Sequence, residues 1–246
     1  MRARFFSFIG MILLGSLSGV SVAASLEECI SVEGREIPHF DYAARPSGTH
    51  KRILVIGGIH GDEPEARHLV ELWKERLDRI KTPSNYWRVV PLANPDGAIH
   101  NTRFNANKVD LNRNFPTKDW DEKALGHWKN ILKSEPRRFP GPSAGSEVET
   151  KCLMKQIDDF KPDIVVSIHT PYGQMDYDGD SKRKIGTKLL PWRRIGTFTG
   201  SLGRYLWDER QIPVLTIELK TSSLKTHQAG FISLQDEVSD LLLPSP

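Results

Sequence analysis

"LVIGGIHGDEPEARHLVELW", residues 54–73, runs from an apolar, β-branched strand through a turn holding His60, Asp62 and Glu63 into an amphipathic helix. Ala66, Leu69, Val70, Trp73, Leu77 and Ile80 recur at three- and four-residue steps, which predicts a helix over 65–80 with one buried face. Outward from this stretch, residues 52–57, 87–93, 163–169 and 214–219 read as short buried strands bounded by Gly, Pro or charge. Between them, a Ser146 and Glu149 capping-box pair opens a second helix that stops at Lys161-Pro162, and residues 122–132 suggest a third. The C-terminal "ISLQDEVSDLLLPSP" reads as an amphipathic closing helix.

Strands alternating with helices imply an α/β fold: one domain with a mixed, mostly parallel central sheet flanked by helices. Such sheets carry their sites at strand ends. Residues 94–97, 139–145 and 172–186 read as loops, the last long enough to be functional.

Residues 1–24 are set aside as a signal peptide, because Arg2 and Arg4, the apolar run from Phe5 and the small residues before Ser25 form its three zones. Residues 25–246 then form the catalytic domain. Export is the expectation, with the periplasm of a Gram-negative bacterium as destination and no stable membrane insertion after cleavage. Net charge falls from +3 to +1 without Arg2 and Arg4, 32 basic against 31 acidic residues, which advertises no nucleic-acid partner. Both cysteines, Cys29 and Cys152, remain in the exported part, where they can pair as a disulfide, although Cys152 on a helix's apolar side equally suits a buried thiol. Two acids just before Cys29 argue against lipidation.

His60 and Glu63, three residues apart beyond a strand, can be aimed at one point by a turn. Imidazole nitrogen and carboxylate oxygen both suit zinc. His169, closing the strand "DIVVSIH", is a third candidate, and His-Glu-His with one open position is a catalytic rather than a structural zinc arrangement. His39, His50, His68, His100, His127 and His227 have no comparable setting and read as surface or packing residues. Glu218, in "TIELK", is a carboxylate in an apolar strand and needs a partner or a task.

With "GGIHGDEPE", "ANPDG", "TRFNANKVDLNRNFP", "GPSAGSEVET", "SIHTPYG" and "TIELK" in this order, the chain resembles the zinc carboxypeptidase family over about residues 52–220. Within the family the wording is most similar to the small bacterial murein peptide amidases. The resemblance implies one Zn2+ per chain on His60, Glu63 and His169, with Glu218 as general base and acid. It implies that Arg103 stabilises the oxyanion and that Asn112 and Arg113 grip the substrate's terminal carboxylate. The polar run "NKVDLNRNFP" would then be an exposed loop lined with donors. The acidic stretch Asp176, Asp178 and Asp180 could meet a cationic side chain, Asp178 being the candidate. Tyr172, Tyr177 and Tyr205 lie at spacings that assign none of them to the family's mobile tyrosine.

The implied reaction is hydrolysis of the γ-D-Glu–meso-diaminopimelate amide of peptidoglycan stem peptides or muropeptides, tripeptide to dipeptide. Three rivals stand beside it: a carboxypeptidase on ordinary C-terminal peptides, an N-acyl amino acid deacylase, and a non-catalytic wall-binding module. The segment from Ser25 to His50 is expected to pack on the domain, and oligomeric state is not legible.

Overall fold

The computed structural model describes residues 29–180 and 186–241. The signal-peptide reading of residues 1–24 lies outside them. Six strands form one mixed sheet: β1 Phe40–Tyr42, β2 Arg52–Ile56, β3 Tyr86–Val90, β4 Ile164–His169, β5 Gln174–Asp178 and β6 Val214–Glu218. Their order is β1-β3-β2-β4-β6-β5, with the four inner strands parallel and both edge strands antiparallel. The helices are α1 Pro64–Arg79, α2 Pro95–His100, α3 Trp120–Asn130, α4 Val148–Phe160 and α5 Ser223–Leu241. Among the described residues no helix is long and apolar enough to cross a membrane.

The sheet is covered on both faces. Ile53, Val55, Val166, Leu215 and Ile217 point to one side, where Leu69 and Trp73 of α1 and Phe231 of α5 bury against them. Leu54, Ile56, Val165 and Val214 point to the other, with Cys152, Leu153 and Ile157 of α4. That alternation is the period of two of a strand, hidden in sequence because both faces are apolar.

Several expectations need correction. The stretch 172–186, read as a loop, contains edge strand β5. Met175 is buried on the core side while Asp176 and Asp178 face the other way, and these acids masked the alternation. Strand β1 was not anticipated at all, being three residues long. The capping box fails: the α4 N-cap is Glu147, which makes no side-chain cap bond, and Glu149 is fully buried. Its carboxylate accepts instead from Val32 N and Asn105 Nδ2. Residues 107–116 are not simply an exposed loop, since Val109, Asp110, Leu111, Asn114 and Phe115 are all buried around a 3-10 turn at Leu111–Arg113.

Cys29 and Cys152 form a disulfide, S–S 2.02 Å, fastening the N-terminal segment to α4. The same segment is held by the buried Asp96, which accepts from Ser31 Oγ at 2.6 Å, Glu33 N at 3.0 Å and Arg35 Nη1 at 2.6 Å.

Candidate active site

The chain leaves β2 for β3 in one direction and reaches β4 on β2's other side, so the order reverses between β2 and β4. Crevices at the carboxyl ends of strands open at such switch points. His60 and Glu63 follow β2, His169 closes β4, and Glu218 closes β6 directly opposite His169 in register. The turn after β2 needs glycine at 61, where an added Cβ would lie 1.9 Å from the Gly97 carbonyl carbon. Asn94 locks that contact: its Oδ1 accepts from Gly97 N at 2.8 Å and its Nδ2 donates to Ile59 O and Arg103 O, both at 3.3 Å.

His60, Glu63 and His169 are buried and offer ligand atoms all within 4.8 Å of one another. The two Nδ1 atoms lie 3.2 Å apart, with Glu63 Oε1 2.7 Å from the first and Oε2 3.1 Å from the second. Tetrahedral donors held ~2.0–2.1 Å from a zinc ion stand ~3.3 Å apart, so the spacing fits. Each outer ring nitrogen faces a protein oxygen. His169 Nε2 meets Ser167 Oγ at 2.9 Å, and His60 Nε2 faces the fully buried Asp110 carboxylate at 3.3 Å, in ion-pair range without an aligned hydrogen bond. Protons held on those outer nitrogens leave both Nδ1 lone pairs turned inward, toward a cation. The local field agrees. Burial alone would raise the Glu63 carboxyl, but the facing His60 and His169 hold it well below the ordinary range. Burial and Arg103 press the His60 imidazole down, and Glu63 and Asp110 outweigh them and raise it. Both shifts favour positive charge at this point.

A cleft of about 580 Å³ opens over the cluster, lined among others by Arg103, Asn112, Arg113, Asp178 and Glu218. Glu218 is 7% exposed, and its Oε2 is buried with no hydrogen-bond partner. Burial raises its pKa, His169 works against this, and Glu63 adds to it. A carboxylate so placed holds or gives up a proton readily.

Arg103 donates Nε to Asp110 Oδ2 at 2.9 Å and brings Nη1 to 3.3 Å from His60 Nδ1. Asp110 thus steadies both His60 and the arginine beside it, and sequence reading missed it although it heads "DLNR". Asn112 accepts Leu202 N on Oδ1 at 2.8 Å, which leaves its NH2 as the donor. Arg113 donates Nη1 to Asn112 O at 2.6 Å and sits 4.7 Å over the Phe198 ring. Burial, then the Arg103 and Arg138 charges, lowers its pKa, and Asp110 offsets them only in part.

The acidic stretch divides. Asp176 is buried and spends its carboxylate on backbone: Tyr177 N at 2.8 Å, Ile195 N at 2.6 Å and Gly196 N at 2.8 Å. Asp178 lines the cleft; burial, with Asp176 and Asp208 nearby, pushes its carboxyl up to about 7. Of the tyrosines, Tyr205 stacks on Phe115 at 5.4 Å, Tyr177 packs on the core, and Tyr172 is at the cleft, 64% exposed.

Residues 24–188 match the zinc carboxypeptidase family. The chain belongs to that family. This zinc carboxypeptidase family member is 30% identical over 204 residues to murein peptide amidase A of Vibrio campbellii, covering 78% of this chain and 81% of that protein. It is 37% identical over 129 residues to murein peptide amidase A of Escherichia coli K12, and there the match spans 51% of this chain and 52% of the relative. The crystal structure of murein-tripeptide amidase from Escherichia coli O157 superposes with a TM-score of 0.66 at 25% identity, covering 93% of this chain and 96% of that one. The family is zinc-dependent, and the His-Glu-His cluster supplies a zinc donor set.

Proposed function

We propose that the protein is an exported zinc-dependent amidase that cleaves the γ-D-Glu–meso-diaminopimelate bond of peptidoglycan stem peptides, working in the periplasm of a Gram-negative bacterium. The observation that carries the reading is the Glu218 carboxylate, held opposite His169 with one buried oxygen unbonded, in the same cleft as His60, Glu63 and Arg113. The likeness to murein peptide amidases supports the substrate class.

His60, Glu63 and His169 would hold the zinc, which supplies Lewis-acid charge for a carbonyl and makes water more acidic. Glu218 takes the proton of the attacking water and returns it to the leaving nitrogen, so its proton count is unchanged over the cycle. Arg103 donates to the carbonyl oxygen as negative charge develops there, its guanidinium steadied by Asp110. Asn112 and Arg113 hold the terminal carboxylate of the leaving residue, and the guanidinium fork fits that group. Asp178 accepts from the ammonium on the diaminopimelate side chain.

The test is mass spectrometry of L-Ala-γ-D-Glu-diaminopimelate incubated with the residues 25–246 chain, beside Glu218→Gln and chelator-treated samples. Diaminopimelate released only by the untreated wild type supports the reading. Hydrolysis of plain C-terminal peptides or acyl amino acids instead would replace it with a rival reaction, and no hydrolysis with zinc bound would leave a binding module.

A further inference from the structure

We propose that Arg137 and Arg138 read the free carboxylate that the glutamyl group carries on the acyl side of the bond that is cut. The inference rests on the amidase reading above. A γ-linked glutamate keeps its α-carboxylate free, three carbons from the scissile carbonyl.

The register of β5 sets the direction along the cleft: antiparallel to β6, it pairs Asp178 with Val214, four residues back from Glu218. Asp178 therefore lines the cleft toward the amino end of β6, and Asp62, in the turn beyond the carboxyl end of β2, lines it past the His60–Glu63–His169 cluster. With the leaving residue's side chain toward Asp178, the acyl portion runs out over Asp62. That is where Arg137 lies, its Nη2 2.7 Å from Asp62 Oδ2. The contact is single-ended: Asp62 Oδ1 is buried with no partner, so the guanidinium is not drawn into a closed fork and keeps donors for a second carboxylate. Arg138 also lines the cleft, held by Glu135 at 3.3 Å, and its charge is felt by Arg113.

The turn that carries both arginines, Pro136–Arg138, is fixed at each end. Trp128 Nε1 donates to Glu135 O at 2.8 Å, and the Trp128 ring packs on Phe139 at 4.8 Å between centroids. Their side chains are 55% and 43% exposed, too open for a core role.

The experiment compares kcat/KM for L-Ala-γ-D-Glu-diaminopimelate and for the same peptide with the D-Glu α-carboxylate amidated. Wild type should prefer the acid by about 10- to 100-fold, the scale of a charge-assisted hydrogen bond. In Arg137→Gln/Arg138→Gln the ratio should collapse toward one, and in the double Lys variant it should fall between. A wild type indifferent to amidation, or a ratio unchanged in the Gln variant, overturns the proposal while leaving the amidase reading intact. Wild type that cleaves neither peptide overturns both. Because the wild-type ratio alone can refute it, the test does not depend on the variants folding.

Discussion

His169 and Glu218 are register partners at the carboxyl ends of the neighbouring parallel strands β4 and β6. One hydrogen-bonded ladder thereby sets the spacing between the His169 imidazole and a carboxylate of raised pKa, with no loop contributing to it.

Glu218→Gln should lower kcat by ~10²–10⁴-fold, the usual worth of a general base. The thermal midpoint should hold or rise. A carboxyl whose folded pKa is raised binds its proton more tightly in the folded state, so its ionised form at pH 7 costs stability that the amide does not. A kinetic assay and a melt on the same sample check both signs, and an active Glu218→Gln variant would remove this residue from the mechanism.

Zinc should raise the melting temperature of chelated protein. At 100 times Kd the linkage contributes about 2.7 kcal/mol. For a chain of this size that corresponds to ~5–10 °C. His60→Ala should erase the shift, as read by scanning fluorimetry with and without added metal.

The pH profile of KM should report Asp178. Its carboxyl, pushed up to about 7, ionises as pH rises through that value, so an ammonium-bearing substrate should bind better above it than below. Asp178→Asn should flatten that limb and erode the preference for diaminopimelate over alanine. For stability the sign reverses: with the folded pKa above the unfolded one, the wild type loses stability relative to Asp178→Asn as pH climbs from about 4 to 7. Melts across that range in both proteins would expose a wrong sign.

Replacing both Cys29 and Cys152 by Ser should cost ~2–4 kcal/mol, since the bridge closes a long loop in the unfolded chain. Denaturant melts of oxidised wild type, reduced wild type and the double Ser variant should place the last two together and below the first.

The inner sheet and the site could be read from sequence because the signals were local. Each inner strand is a mostly apolar run, and each candidate ligand closes one or sits in the turn that follows. What stayed hidden depends on contacts far apart in the chain. Asp110 matters because His60 and Arg103 fold against it from 50 and 7 residues away, and nothing in its neighbours says so. "GPSAGSE" was quoted for its likeness, yet its residues serve as scaffold. Asn114 Nδ2 donates to Pro140 O and Ser143 O, and Glu147 accepts from Asn105 and Asn107. Edge strand β5 escaped because its outward positions are aspartates, which alone read as solvated loop.

The chain has only two cysteines, which admits a single intramolecular pairing. During synthesis Cys29 must therefore wait through 123 further positions before its mate exists. No shuffling enzyme is needed to correct an error within one molecule. Every wrong product joins the chain to another molecule, so oxidative yield should depend on how crowded the unpaired chains are rather than on isomerase supply.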